Sequence, residues 1–288
     1  MNMAPSKSLI TLLAAIVALL LLTLLPVSAD ALRDWTNKDG RTIKAELLSV
    51  SETSVTLKLD NGRRYEIPLA DLSDTDRTHA IKWQAELAIS PEAKKVLAQY
   101  REDEHTTEVL CHFDFESGSL EALEPKWSVL KGQYEVENGV IHGLELPADN
   151  HVATAGMDLP LGHHAFAYFE VELHEAANVI VTLNGKGRGH VCRVVISPKL
   201  IAVQSDNKPK AVNVSRPMDL EKDEALEVVV ELHNDTLSLI LLNAGDSEPL
   251  TLTDDFINHP IDNIRWAVAK GPAKIDEVTV ARVVNIEP

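Results

Sequence analysis

Cysteine is scarce in this 288-residue chain: only Cys111 and Cys192 occur, too few for a scaffold held together by several disulfides. Strand alternation groups Cys111 with Val109, Phe113 and Phe115, and Cys192 with Val194 and Ile196. Both therefore face inward, either as two buried thiols or as one core disulfide. Neither lies in a motif with a base nearby, so a thiol nucleophile is not expected. Positive charge is also short. Against 44 Asp and Glu there are 27 Lys and Arg, a net charge of −17, which opposes nucleic acid or anionic lipid as a partner because phosphates would be repelled. The acids are spread along the chain rather than gathered in a tail. There is no internal repeat, no low-complexity tract, and no serine triad, zinc motif or dinucleotide fingerprint. No cofactor and no resident metal is expected.

What the chain does have is one long apolar run at its start. Residues 9–25 read LITLLAAIVALLLLTLL, with Lys7 as the only preceding charge and Val-Ser-Ala following. This is the pattern of an export signal cleaved after Ala29. The run is long enough that retention as an N-terminal membrane anchor is the alternative. No cysteine follows the cleavage site, which argues against a lipid anchor. Loss of the segment removes one positive charge and leaves −18. Either way the remainder is expected outside the cytoplasm, in the periplasm, at the cell surface or extracellular.

Residues 30–72 read as short alternating strands separated by turn signals at Asp39-Gly40, Ser51-Glu52 and Asp60-Asn61-Gly62. Val55, Leu57 and Leu59 share one face, and Asn61-Gly62 suits a tight hairpin. So many short strands in so short a unit should close into a small barrel. Ser73 with Asp76 three residues later forms a capping-box signature ahead of DRTHAIKWQAEL, and Pro91 opens a second helical stretch. Residues 73–108 are thus expected as a helical connector, with Trp83 packing it against the barrel. From Val109 onward nearly everything reads as strand, with turns at Asn138-Gly139, Asn184-Gly185, Asn234-Asp235 and Gly245-Asp246. That pattern predicts an antiparallel two-sheet sandwich over residues 109–288.

Two resemblances attach to these regions. The stretch DWTNKDGRTIKAELLSVSETSVTLKLDNGRRYEIPLADLS, residues 34–73, resembles the Sla-type homology domain one, an SH3-like barrel also found in exported bacterial proteins. The resemblance implies binding rather than catalysis, and in eukaryotes short peptide motifs are the ligands. Over most of residues 109–285, FDFESGSL, the W-S-V-x-x-G-Q-Y-E-V-E-N-G-V-I-H-G pattern and FAYFEVEL resemble laminin-G-like and concanavalin A-like sandwiches, the 3-keto-disaccharide hydrolase group in particular. These motifs describe a fold more than a site, and fold similarity does not license an activity.

The stretch richest in chemistry is FEVELHE, residues 169–175. On a strand, Ala165, Ala167, Phe169, Val171 and Leu173 line the core face. His164, Phe166, Tyr168, Glu170, Glu172 and His174 line the other, a composition that suits a sugar-binding surface or a solvated sheet. The stretch resembles the E-x-D-x-x-E motif of family sixteen glycosidases. That resemblance would make Glu170 the nucleophile, Glu172 the assisting acid and Glu175 the proton donor. Glu172 departs from the Asp of the motif, and Glu175 falls at an odd offset that needs a β-bulge to join the others. A metal on Glu170, Glu172 and His174 is disfavoured because i, i+2 side chains diverge along a strand; His112, His163 and His190 read as scattered exposed histidines. Asp254, Asp255 and Asn258 lack a calcium-loop spacing, and the NGKGRG loop, residues 184–189, precedes no helix and cradles no phosphate. Trp127 and Trp266 fit either the core or an exposed stacking platform.

The expectation is therefore a mainly β chain of SH3-like barrel, short helical connector and jelly-roll sandwich. It would act as an exported, non-catalytic binding protein whose partner is a glycan or an exported protein, with Tyr168, Glu170, Glu172 and His174 as the ligand face. The alternatives are a glycosidase-type hydrolase using Glu170, Glu172 and Glu175, and a structural envelope component.

Overall fold

A computed structural model describes residues 32–285 apart from 52, 89–104, 117, 124, 208–210 and 246–247. The export segment and the helical stretch opened by Pro91 lie outside the described residues. Four strands come first: β1 (Arg33–Thr36), β2 (Thr42–Val50), β3 (Ser54–Leu59) and β4 (Arg64–Pro68), an antiparallel meander in chain order. A bridge between Asn37 and Leu72 draws its ends together around Trp35, Ala45, Leu47, Val55 and Leu57. The β3–β4 turn is a residue longer than the two-residue hairpin Asn61-Gly62 suggested. Leu59 N–H donates to Arg63 O, and only Gly62 takes the left-handed conformation, at φ 79°.

Helix α1 (Asp74–Ala88) starts as the Ser73/Asp76 pattern requires: the Asp76 N–H donates to Ser73 Oγ at 3.2 Å. Asp76 does more than cap. It is 3% exposed, accepts from the Thr36 N–H at 2.7 Å, and pairs with Arg33 at 2.6 Å. The first turn of the helix is thereby fixed to β1. Along α1, Ala80 and Trp83 pack on the meander core, while Ile81 packs on the outer face of the following sandwich. No helix of the described residues is long and apolar enough to cross a membrane.

Among the described residues the sandwich comprises fifteen strands in two antiparallel sheets. The first contains β5 (His105–Phe113), β7 (Gln133–Glu137), β8 (Val140–Leu144), β10 (His164–Glu172), β15 (Leu226–His233), β16 (Thr236–Leu241), β17 (Leu250–Thr253) and β19 (Ala273–Asn285). Its order is β17-β16-β15-β10-β19-β8-β7, with β5 beside β8 along β19. The second contains β6 (Ser128–Lys131), β9 (Ala153–Gly162), β11 (Asn178–Gly185), β12 (Gly189–Ser197), β13 (Leu200–Ser205), β14 (Asn213–Pro217) and β18 (Ile261–Ala269), in the order β14-β13-β12-β11-β18-β9-β6. Paired in this non-sequential way, they form a jelly-roll-like sandwich.

One continuous core fills the space between the sheets, and its centre is aromatic. Trp127 stacks on Trp266 at 5.0 Å, with Phe169 edge-on to Trp266 at 5.8 Å and Phe113 and Phe115 against Trp127. Both tryptophans are buried, so neither is a stacking platform. Cys111 and Cys192 are free, buried thiols, and Cys111 Sγ lies 3.8 Å from Met157 Sδ. Burial pushes both thiols well above their ordinary range, consistent with inert packing.

Candidate functional site

The alternation of FEVELHE is realised. Phe169, Val171 and Leu173 point into the core, and Glu170 and Glu172 point outward from β10. The outer face itself differs from the open surface expected. Phe166 and Tyr168 are 1% and 2% exposed, because Val109, Val229, Ile240 and Ala281 surround them and Ile81 of α1 lies over them. Tyr168 is thus a buried residue rather than a ligand platform. Its hydroxyl donates to Glu170 Oε1 at 3.3 Å. Glu172 is held by Lys274 and by His174, each at 3.0 Å. His174 lies beyond the strand at φ 44° and also contacts Asp223 Oδ1 at 2.9 Å.

The three-carboxylate comb does not assemble. A bulge exists beside Glu170, but it belongs to β19. Tyr168 pairs with Thr279 and Glu170 with Asp276, so the extra residue is Glu277, at φ 48°. Pairing of β10 with β15 runs through Glu170 and Val171 without a shift. Glu175 follows in an exposed turn, away from the register that aligns Glu170 and Glu172. Sequence reasoning missed Glu277 because neither Gly nor Asn marks the left-handed position.

In place of a comb, the sheet carries carboxylates abreast. Glu227, Glu170 and Asp276 sit opposite one another on β15, β10 and β19. Burial, reinforced by neighbouring carboxylates, raises Glu170 and pushes Asp276 to about 6 and Glu277 to about 7. His112 was expected to be exposed, yet it is buried beneath them. Its Nδ1 meets Thr279 Oγ1 at 2.8 Å, its Nε2 lies 3.8 Å from Glu277 Oε2, and desolvation lowers it to about 4.

These shifts make stability depend on pH, with opposing signs. Raised carboxyls add stability that is complete below the unfolded pKa and is lost as pH rises through about 6 and 7. The lowered His112 adds stability that is complete above its unfolded pKa and is lost as pH falls towards 4. Between pH 8 and 6.5 the carboxyls dominate. Acidification there should stabilise the chain by on the order of 0.5 kcal/mol after discounting for solvent screening, or about 1–2 °C in Tm. Thermal melts should show this rise in the parent chain and a flat profile in Glu277→Gln. A Tm that falls over that interval would contradict the assignment.

A second cluster lies at the opposite end of β10. A cavity of about 590 Å³ is lined by His163, His164, Asn234, Asn258 and Arg282, with Leu161 behind. The β9–β10 turn supplies His163, the start of β10 supplies His164, the β15–β16 turn supplies Asn234, and the segment before β18 supplies Asn258. His163 Nδ1 meets Asn258 Oδ1 at 2.9 Å, and His164 Nε2 meets Asn234 Oδ1 at 2.9 Å. The imidazoles donate to the amide oxygens, which leaves each amide NH2 without a further partner among the described residues. In a neutral imidazole the second ring nitrogen is an acceptor. The rings of His164 and His233 lie 4.4 Å apart, and Glu108 neutralises Arg282 at 2.7 Å. No carboxylate lines the cavity. The sequence contained these histidines and asparagines, but nothing local shows that three separate turns bring them together.

Elsewhere, Thr182 on the second sheet is flanked in register by Arg193 and Arg265, which pair with Asp206 and Asp158. His190 contacts Asn184 at 2.6 Å. Asp254 caps its own loop through the Phe256 N–H, and no metal-binding group of three His, Cys, Asp or Glu occurs among the described residues. On the meander, Trp35, Ile43, Ile67 and Leu72 border a groove of about 480 Å³.

No family model matches the sequence, and no curated protein matches it. Solved structures with a similar fold include the CBM2 module of the evolved Dit of Lactobacillus casei BL23 phage J-1. It has 14% identity and a TM-score of 0.48, over 64% of this chain and 99% of that one. The carbohydrate-binding module CBM66 from Bacillus subtilis has 10% identity and a TM-score of 0.44, over 54% and 94%. A Crh5 transglycosylase in complex with NAG has 13% identity and a TM-score of 0.44, over 64% and 85%. At these identities the likeness is one of β-sandwich fold.

Proposed function

We propose that this chain is an exported binding protein that recognises glycans through the cleft at the His163 end of its sandwich. Export rests on the apolar run and the Val-Ser-Ala pattern before Asp30. The observation that carries glycan recognition is the arrangement of paired donors and acceptors around that cleft. A sugar hydroxyl both donates and accepts, so it is best met by an amide N–H beside an imidazole nitrogen. Asn258 with His163, and Asn234 with His164, provide two such pairs on neighbouring turns. The His164 and His233 imidazoles, tilted by 57° to one another, offer a ring face against which the C–H side of a pyranose can lie. Loops over a rigid sandwich are a common place for such sites. Tyr168 is buried, Glu172 is paired with Lys274, and His174 contacts Glu172 and Asp223, so this cleft supports the reading better than the face of β10.

A glycan array probed with the full chain should give hits dominated by neutral sugars. Asn258→Ala and Asn234→Ala should each weaken the best hit about tenfold, the worth of one well-placed hydrogen bond, with Tm unchanged. Undiminished binding by both variants, or an array without hits, would remove the cleft from consideration.

A further inference from the structure

We propose that the side of the sandwich where both sheets end, at β6 and β7, docks a second copy of this chain. Among the described residues these strands are outermost in their sheets, and the chain passes from one sheet to the other through Gly132. A groove of about 680 Å³ opens here, lined by the buried Trp127 and Tyr134 together with Leu120, Val129 and Val136. Exposed large apolar side chains gather beside it. Of the five such residues described in the sandwich, Leu200 and Val212 lie elsewhere. The other three are Val129 at 44%, Leu130 at 54%, and Leu144, the register partner of Gln133, at 36%. Scattered singly such residues mean little; gathered at a groove they mark a contact surface.

Charge selects the occupant. A chain at −17 repels its own copies, so a contact between copies needs a patch that carries both signs. This groove is such a patch. The exposed Lys126 lines it beside the exposed Glu121 and Glu135. Among the described residues Lys126 and Glu135 enter no ion pair, and Glu135 accepts a hydrogen bond from the Gln133 amide at 2.7 Å. Two-fold pairing sets Lys126 of each copy against Glu135 of the other, so that both ion pairs form at once around an apolar centre. An extended peptide fits less well. On β6 it would meet a strand of four residues, bulged where Leu130 has no register partner. On β7 it would meet five residues that include Glu135 and Glu137. Short, bulged and charged edges disfavour strand addition. This inference does not rest on the glycan reading of the His163 cleft.

The test is sedimentation velocity of the full chain at physiological ionic strength. Between about 1 and 100 μM, the range of a modest interface, it should show a monomer–dimer equilibrium. Lys126→Glu sets acid against acid at both contacts, and Glu135→Lys sets base against base. Each variant alone should dimerise at least tenfold more weakly than the parent. Mixed in equal amounts, the two variants regain both pairs, and the mixture should dimerise as the parent does. Both side chains are exposed, so the Tm of the monomer should not move. A parent chain that stays monomeric over this range overturns the proposal and leaves the groove to a partner of another kind. Association that neither reversal weakens also overturns it, because the contact then lies elsewhere. A mixture that stays monomeric overturns the two-fold pairing of Lys126 with Glu135.

Discussion

Asp76→Ala should cost the folded chain roughly 3–5 kcal/mol, the range for stripping one member from a buried ion pair. Asp76 is 3% exposed and makes four contacts with three groups. It receives the Arg33 guanidinium at 2.6 Å, the Thr36 N–H at 2.7 Å and the Ser73 hydroxyl at 3.0 Å, while its own N–H is capped by Ser73. Alanine leaves a partly buried cation and a backbone donor without partners, and removes an acid from the first turn of α1. Urea unfolding followed by Trp35 and Trp83 fluorescence should report the loss. Asp76→Asn should recover part of it, because an amide oxygen can still accept from Thr36. A midpoint unchanged within error in the alanine variant would show that the junction between meander and helix contributes nothing to stability.

Trp266→Ala should be comparably damaging, at about 3–5 kcal/mol for emptying a site at the centre of an aromatic cluster. Trp266 is fully buried, stacked on Trp127 and met edge-on by Phe169. Its Nε1 has no hydrogen-bond partner among the described residues. Trp266→Phe, which removes that donor and keeps most of the apolar bulk, should therefore cost clearly less than the alanine change. Thermal unfolding of the two variants checks the order. Equal losses would mean that the indole N–H, not the ring packing, sets the value of this position.

What could be read in advance follows a physical divide. The Ser73/Asp76 start of α1, the Asn138-Gly139 turn and the inward stripe Phe169-Val171-Leu173 depend on neighbours in sequence, and they appear as expected. Ala153–Gly162 did not announce itself as a strand, because Gly156 and Pro160 interrupt the alternation that β18 and β6 nevertheless enforce by pairing. The burial of Tyr168 was illegible for another reason. It depends on where α1 docks, and among the described residues Ile81 is the apolar side chain of that helix that marks the contact. The His163 cleft and the Glu277 bulge likewise arise from segments far apart in the chain, so no local pattern encodes them.

The placement of β19 has a consequence for how the sandwich forms. This thirteen-residue strand lies between β10 on one side and β8 and β5 on the other, and it joins His112 to Thr279 across a separation of 167 residues. Contacts of such range close slowly, because the intervening chain must first be ordered. During synthesis the first strand of the sandwich has no sheet neighbour until Ala273–Asn285 emerge. Until then β5 and β10 expose apolar edges, and a chain truncated before Ala273 should be trapped in a non-native, association-prone state rather than in a smaller sandwich.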